Sequence, residues 1–142
     1  VILYGNIPLR RPGIVDRVVK HLRETGADSV ETYAEYQKHP LRAFKIESGR
    51  PVPLSGAPVP GFYRRQLLPT AYYPDGAAAA IRTDVLLNSE HLPGESGEYF
   101  GKDRRAIIQN PIDAADIDEP IDLVWAEFLM NSSKTTSSKI VS

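Results

Sequence analysis

The 142-residue chain contains no cysteine, which excludes disulfides and thiolate metal sites. Its three histidines, His21, His39 and His91, are too widely spread for metal-ligand spacing. A signal-peptide pattern and an apolar run of membrane length are missing too, so a cytoplasmic location is the default. Charge of one sign is equally scarce. Seventeen Lys and Arg against 18 Asp and Glu leave a formal net charge of −1, with no global field to draw nucleic acid or an anionic membrane, and neither is an expected partner. The absence of any Ser–His or paired-glutamate constellation argues against a hydrolase.

The informative stretch is Asp113 to Leu123. Asp116 and Asp118 stand two residues apart, and in extended backbone both point the same way. Asp118 occupies an N-cap position, Pro120 suits a first helical turn, and Asp122 adds charge at the positive helix end. Ile121, Val124, Trp125, Phe128 and Leu129 then follow helical periodicity. Local pattern leaves two readings open: a capped helix with a solvated acidic entry, or a site for Mg²⁺, which takes one or two carboxylates and leaves its other positions to water and phosphate.

The length fits one domain. Val1 to Tyr4 reads as a buried strand running into the loop Gly5-Asn6-Ile7-Pro8, and an opening on a sheet interior suggests a chain that starts partway through a larger domain. A helix follows, with Pro12 in its first turn, Ile14, Val15, Val18, Val19 and Leu22 on one face and Gly26 as C-cap. Asp28 to Glu35 alternates as a strand, completing a right-handed βαβ unit whose carboxyl rim carries Tyr4, Gly5 and Asn6.

From Gln37 to Thr70, six prolines (Pro40, Pro51, Pro53, Pro58, Pro60 and Pro69) break up regular structure, and only Ala43 to Glu47 reads as a strand. Arg64 and Arg65, near its end, fit either a solvated pair or anion recognition. Tyr72-Tyr73-Pro74-Asp75-Gly76 reads as a turn. Ala77 to Arg82 reads as a buried strand kept small by close packing, and Thr83-Asp84 as the cap of a short helix. Asn88 to Lys102 reads as a polar surface loop, Arg105 to Asn110 as a strand, and Asn131 to Ser142 as a disordered tail.

Six segments in order carry a resemblance. Ile7-Pro8-Leu9-Arg10, Gly26 to Val30, Lys38-His39-Pro40-Leu41, Arg65 to Pro69, Tyr73 to Ala77 and Asp116 to Glu127 together resemble the carboxyl-terminal part of the acylneuraminate cytidylyltransferases, over roughly residues 1 to 130. The resemblance implies an α/β fold, a three-layer Rossmann-like sandwich of the nucleotide-diphospho-sugar transferase kind, incomplete at its N-terminus. It implies a homodimer that moves CMP from CTP to an acidic sugar with Mg²⁺, releasing pyrophosphate. Asp116 and Asp118 match the metal-holding aspartates, and Arg42 and Arg65 match basic positions at the substrate. Asp75-Gly76 stands where an Asn-Gly pair touches the sugar, and Tyr4 and Asn6 lie in the first motif. Residues 37–70 match the arm through which subunits embrace.

The departures also carry expectations. Tyr4 replaces a glutamine that orients the sugar, Tyr73 an arginine, and Asp75 an asparagine. An extra acid would repel a substrate carboxylate, so a different sugar acid or another cytidylyl acceptor is expected. No Gly- and Lys/Arg-rich phosphate loop occurs in these 142 residues, so this polypeptide alone is expected to bind CTP poorly. A binding protein that kept the dimer arm without catalysis is the alternative.

Overall fold

The structure, a computed structural model, describes residues 1–56, 64–91, 98–113 and 115–137. The chain is a mixed α/β protein that divides into two compact units, Val1–Ala34 with Pro74–Ser142, and Glu35–Tyr73. The second closely brackets the irregular 37–70 segment.

The first unit is built on a small mixed sheet. Helix α1 (Ile14–Thr25) leads into β1 (Ser29–Glu35); β4 (Tyr72–Ile81) and β5 (Arg104–Gln109) flank β1 in the order β4-β1-β5. β1 and β5 are parallel, with Val30 opposite Arg105 and Ala34 opposite Gln109. α1 ends where expected: Gly26, at φ 65°, donates its N–H to Leu22 O, a left-handed cap that glycine adopts without a Cβ penalty. Its start is one step later than expected, since Gly13 is the N-cap and Pro12 lies outside.

Burial explains the alanine run. Ile14 and Val18 of α1 pack on Val30, Ala78 and Ala80, with Val15, Val19, Leu22 and Ile107 around them. Methyl side chains on β4 let the helix approach the sheet closely, and non-directional burial of this surface is the main stabilising force.

Several expectations are corrected. Val1 to Tyr4 is not a buried strand: Val1, Leu3 and Tyr4 are exposed, and only Ile2 forms a bridge, antiparallel to Ala79. The run therefore neighbours β4 instead of β1, and the simple βαβ pair is replaced by one with β4 between its strands. Tyr72 to Gly76 belongs to β4 and is no turn. The cue was real but served another purpose, because Gly76 sits at φ 72° inside the strand, where an added Cβ would lie 3.1 Å from the Tyr4 ring.

Short helix α2 (Thr83–Leu87) forms as expected, though Arg82 is its N-cap residue and no side chain caps it. The stretch expected as a polar loop contains a 3₁₀ turn, Glu98–Phe100, that buries Phe100. α3 (Pro120–Ser137) continues beyond Asn131, where the sequence pattern ends the domain. Residues 138–142 lie outside the described part. On α3 most of the expected apolar face is not packed: Ile121, Val124, Trp125 and Phe128 are exposed, Leu129 is half-buried and, among the described side chains, Ala126 alone is buried, while Trp125 and Phe128 stack on each other at 5.5 Å. Among the described residues no helix is long and apolar enough to cross a membrane.

The second unit contains the antiparallel hairpin β2 (Phe44–Glu47) and β3 (Arg50–Pro53). Phe44, Ile46 and Leu54 are exposed on it. His39 anchors the preceding turn: Nδ1 accepts from Leu41 N–H and Nε2 lies 2.7 Å from Pro69 O.

Candidate functional site

An open cleft of about 360 Å³ lies in the first unit. Its walls come from four places: Tyr4, Asn6 and Ile7 near the start, Glu31 and Thr32 on β1, Pro74 to Gly76 with Ala78 and Ala79 on β4, and Tyr99, Phe100, Arg104 and Asp116 further on.

The acidic rim is set by backbone geometry. Ile117 N–H donates to Asn6 O at 2.9 Å, which ties the entry of α3 to the first loop. The Asn6 side-chain amide then donates to Asp116 Oδ1 at 2.6 Å and Asp118 Oδ1 at 3.2 Å. Two carboxylate oxygens thus converge on one point beside the cleft.

The cap of α3 differs from the expected one. Asp122 reaches back, its Oδ2 accepting from Asp118 N–H at 3.1 Å and Glu119 N–H at 2.8 Å. Carboxylate capping is done from inside the helix, as in a capping box, and the Asp118 side chain is turned to Asn6. The negative charges leave a mark on Asp116. Loss of solvent around its carboxyl, then repulsion from Asp118 and Asp122, hold its pKa above the ordinary 3.8, despite the lowering effect of the Ile117 and Asn6 donors.

Carboxylate oxygens are the ligand type of a hard divalent cation. Two carboxylates are what Mg²⁺ commonly takes from protein, and the Asn6 amide, turned end for end, would offer a third oxygen. Among the described residues no group of three or more His, Cys, Asp or Glu side chains has metal-holding geometry, so water and ligand oxygens would complete the shell.

Asp75 has a different role from the one the resemblance implies. It is 5% exposed; Oδ1 accepts from Thr32 Oγ1 and, at 3.0 Å, from Ala77 N–H, and Oδ2 accepts from Gln109 Nε2 at 2.7 Å. Both oxygens are committed to β1, β4 and β5, so the carboxylate bolts the sheet together instead of reaching for a sugar. Gly76 does contribute to the cleft, through the closeness of its backbone to Tyr4.

Tyr4, Asn6, Asp75, Gly76 and Asp116 are therefore brought together, with Asp118 attached through Asn6. Arg42 belongs to the second unit, where it lines a separate hollow with Lys38 and His39. Arg65 begins a 3₁₀ turn of that unit; its side chain lies outside the described residues.

Four cleft residues escaped sequence reasoning. Glu31 is 5% exposed, and its Oε2 accepts from Arg104 Nε at 3.1 Å and Nη2 at 2.6 Å. The Arg104 guanidinium lies 4.9 Å from the Phe100 ring centre. Tyr99 packs on Phe100 at 4.5 Å and shares a hydrogen bond with Tyr4. That bond, followed by burial, holds the Tyr99 phenol above its ordinary pKa of 10.0. The available signal was an acid in mid-strand, Glu31, with an arginine at the head of another strand, since a buried carboxylate needs a partner.

No protein-family model matches this chain, and no curated protein matches it at significant similarity.

Proposed function

We propose that this chain forms the metal-holding and acceptor-side part of a Mg²⁺-dependent cytidylyltransferase, moving CMP from CTP to a sugar and releasing pyrophosphate. The family it resembles uses an acidic sugar. The observation that carries this is the gathering of Asp116 Oδ1 and Asp118 Oδ1 on the Asn6 amide nitrogen, 2.6 and 3.2 Å away, at the rim of a cleft. Parallel pairing of β1 and β5 supports the finer, Rossmann-like description, since sheets of that class are mostly parallel.

Bound there, Mg²⁺ would neutralise phosphate charge, which is the main demand of nucleotidyl transfer. The chain's own task is positioning. Asn6 holds the two aspartates in register, Asp122 caps α3 and fixes the approach of Asp118, and the cleft seats the acceptor. The second unit is the proposed dimer arm, supported by its exposed Phe44, Ile46 and Leu54, since a two-stranded hairpin is marginal alone.

The test is pyrophosphate release from CTP by the full-length protein with Mg²⁺ and a panel of sugar acceptors. Release that falls at least about a hundredfold in both Asp116→Asn and Asp118→Asn is expected, as for loss of a group stabilising transferring phosphate. Release indifferent to both substitutions would take the two aspartates out of the chemistry, and none with any acceptor would favour the non-catalytic, dimerising alternative.

A further inference from the structure

We infer that the cleft accepts an uncharged sugar ring and rejects a carboxylate on it, with Glu31 as the specificity-determining residue. The inference rests on the proposed transfer only in taking the cleft's ligand to be its acceptor, and it makes that acceptor a neutral sugar where the resembled family uses an acidic one.

Charge is the first argument. Arg104 is the single cation among the described residues lining the cleft. Its Nε and Nη2 are both spent on Glu31 Oε2. Among the described lining residues a ligand carboxylate would meet only a guanidinium already paired with Glu31, and Asp116 adds a negative charge at the rim. Desolvating an anion beside like charges is costly.

Shape and hydrogen-bonding capacity are the second. Both bonds from Arg104 to Glu31 go to Oε2, so Oε1 of this cleft-lining residue is left to accept from a ligand hydroxyl. An ionised acceptor forms short, strong bonds with hydroxyl groups. Arg104 keeps the carboxylate fixed, and Phe100 supports Arg104 from below, so the acceptor is preorganised. Tyr4 and Tyr99 line the same space as an amphipathic wall, apolar over the ring and polar at the hydroxyl. Ala78, Ala79 and Gly76, also lining the cleft, add no bulk. A ring with apolar C–H faces and a hydroxylated edge matches each of these surfaces.

The experiment is an NMR titration of the 142-residue chain, without CTP or Mg²⁺, using glucose with glucuronate, galactose with galacturonate, and mannose with mannuronate. Members of each pair differ only at the terminal carbon, and binding is followed at the backbone amides of Glu31, Tyr99 and Arg104. At least one neutral hexose is expected to shift these amides, with its acid binding at least about tenfold more weakly. Glu31→Gln, isosteric and still an acceptor for Arg104, should bring that ratio toward one. Tyr99→Ala should weaken both members alike and leave the ratio standing, which separates loss of the wall from loss of charge selection.

Acids that bind as tightly as their neutral partners would overturn the inference. So would an unchanged ratio in Glu31→Gln, or undisturbed amides with all six sugars. Because nucleotide and metal are absent, failure here leaves the aspartate site untouched, and a lack of pyrophosphate release leaves this selectivity standing.

Discussion

Of the three carboxylates that line the cleft, Asp75 and Asp116 have opposite circumstances. Asp75 is almost wholly buried, yet each of its oxygens meets a donor from the surrounding strands. Asp116 is exposed at the rim, receives the Asn6 amide, and faces Asp118 and Asp122. Burial alone therefore does not mark the functional acid. A carboxylate whose bonds are complete has nothing left to offer a ligand, whereas one crowded by like charges gains directly when a cation arrives.

The largest effect should come from breaking the buried partner. Asp75→Ala strands the Ala77 N–H and the Gln109 amide, while the Thr32 hydroxyl keeps Ala78 O as an acceptor, and should cost about 3 kcal/mol in urea unfolding, the range for unpaired buried polar groups. Asp75→Asn should cost distinctly less, about 1 kcal/mol, since Gln109 Oε1 has no partner and its amide can turn to accept from the new side chain. If the alanine variant lost less than the asparagine one, Asp75 could not be the bolt described above.

Those two roles were unequally legible in the sequence. The close Asp116-x-Asp118 spacing showed at once, because two-residue periodicity in extended backbone is a local rule. The α1 stripe, its Gly26 cap and the small-residue strand from Ala77 were readable for the same reason. Asp75 was misjudged because Pro74-Asp75-Gly76 matches turn chemistry, and only pairing with distant Thr32 and Gln109 converts it to strand. Glu31 and Arg104 were missed because their link spans 73 positions. On α3, periodicity foretold the helix, but a stripe says nothing about whether a partner surface exists, and Trp125 and Phe128 remain 51% and 59% exposed.

A cation should sharpen the contrast next. If Asp116 and Asp118 hold Mg²⁺, a tenfold excess over its Kd stabilises the folded chain by about 1.4 kcal/mol. Thermal unfolding with and without MgCl₂, at matched ionic strength, reads this directly. The shift should vanish in Asp118→Asn and persist in a chain altered only at Asp113, whose carboxylate is paired with Arg11. A shift of equal size in the Asp118→Asn variant would place the ion elsewhere.

The smallest effect tests the rim's charge without any ligand. The pKa of Asp116 is higher in the folded chain than the ordinary 3.8, so the folded state holds that proton more tightly than the unfolded one. Stability from this group is then greatest when it is protonated. It declines as pH rises from the unfolded value through the folded one, and above that the cost is constant. Asp116→Asn removes the cost. The variant should be the more stable at neutral pH, by only a few tenths of a kcal/mol because an exposed group is screened by solvent. Its advantage should shrink on acidification toward the ordinary carboxylate range. A variant less stable than the parent at pH 7 would show that the donors from Ile117 and Asn6 outweigh the repulsion, and Asp116 would then resemble Asp75 after all.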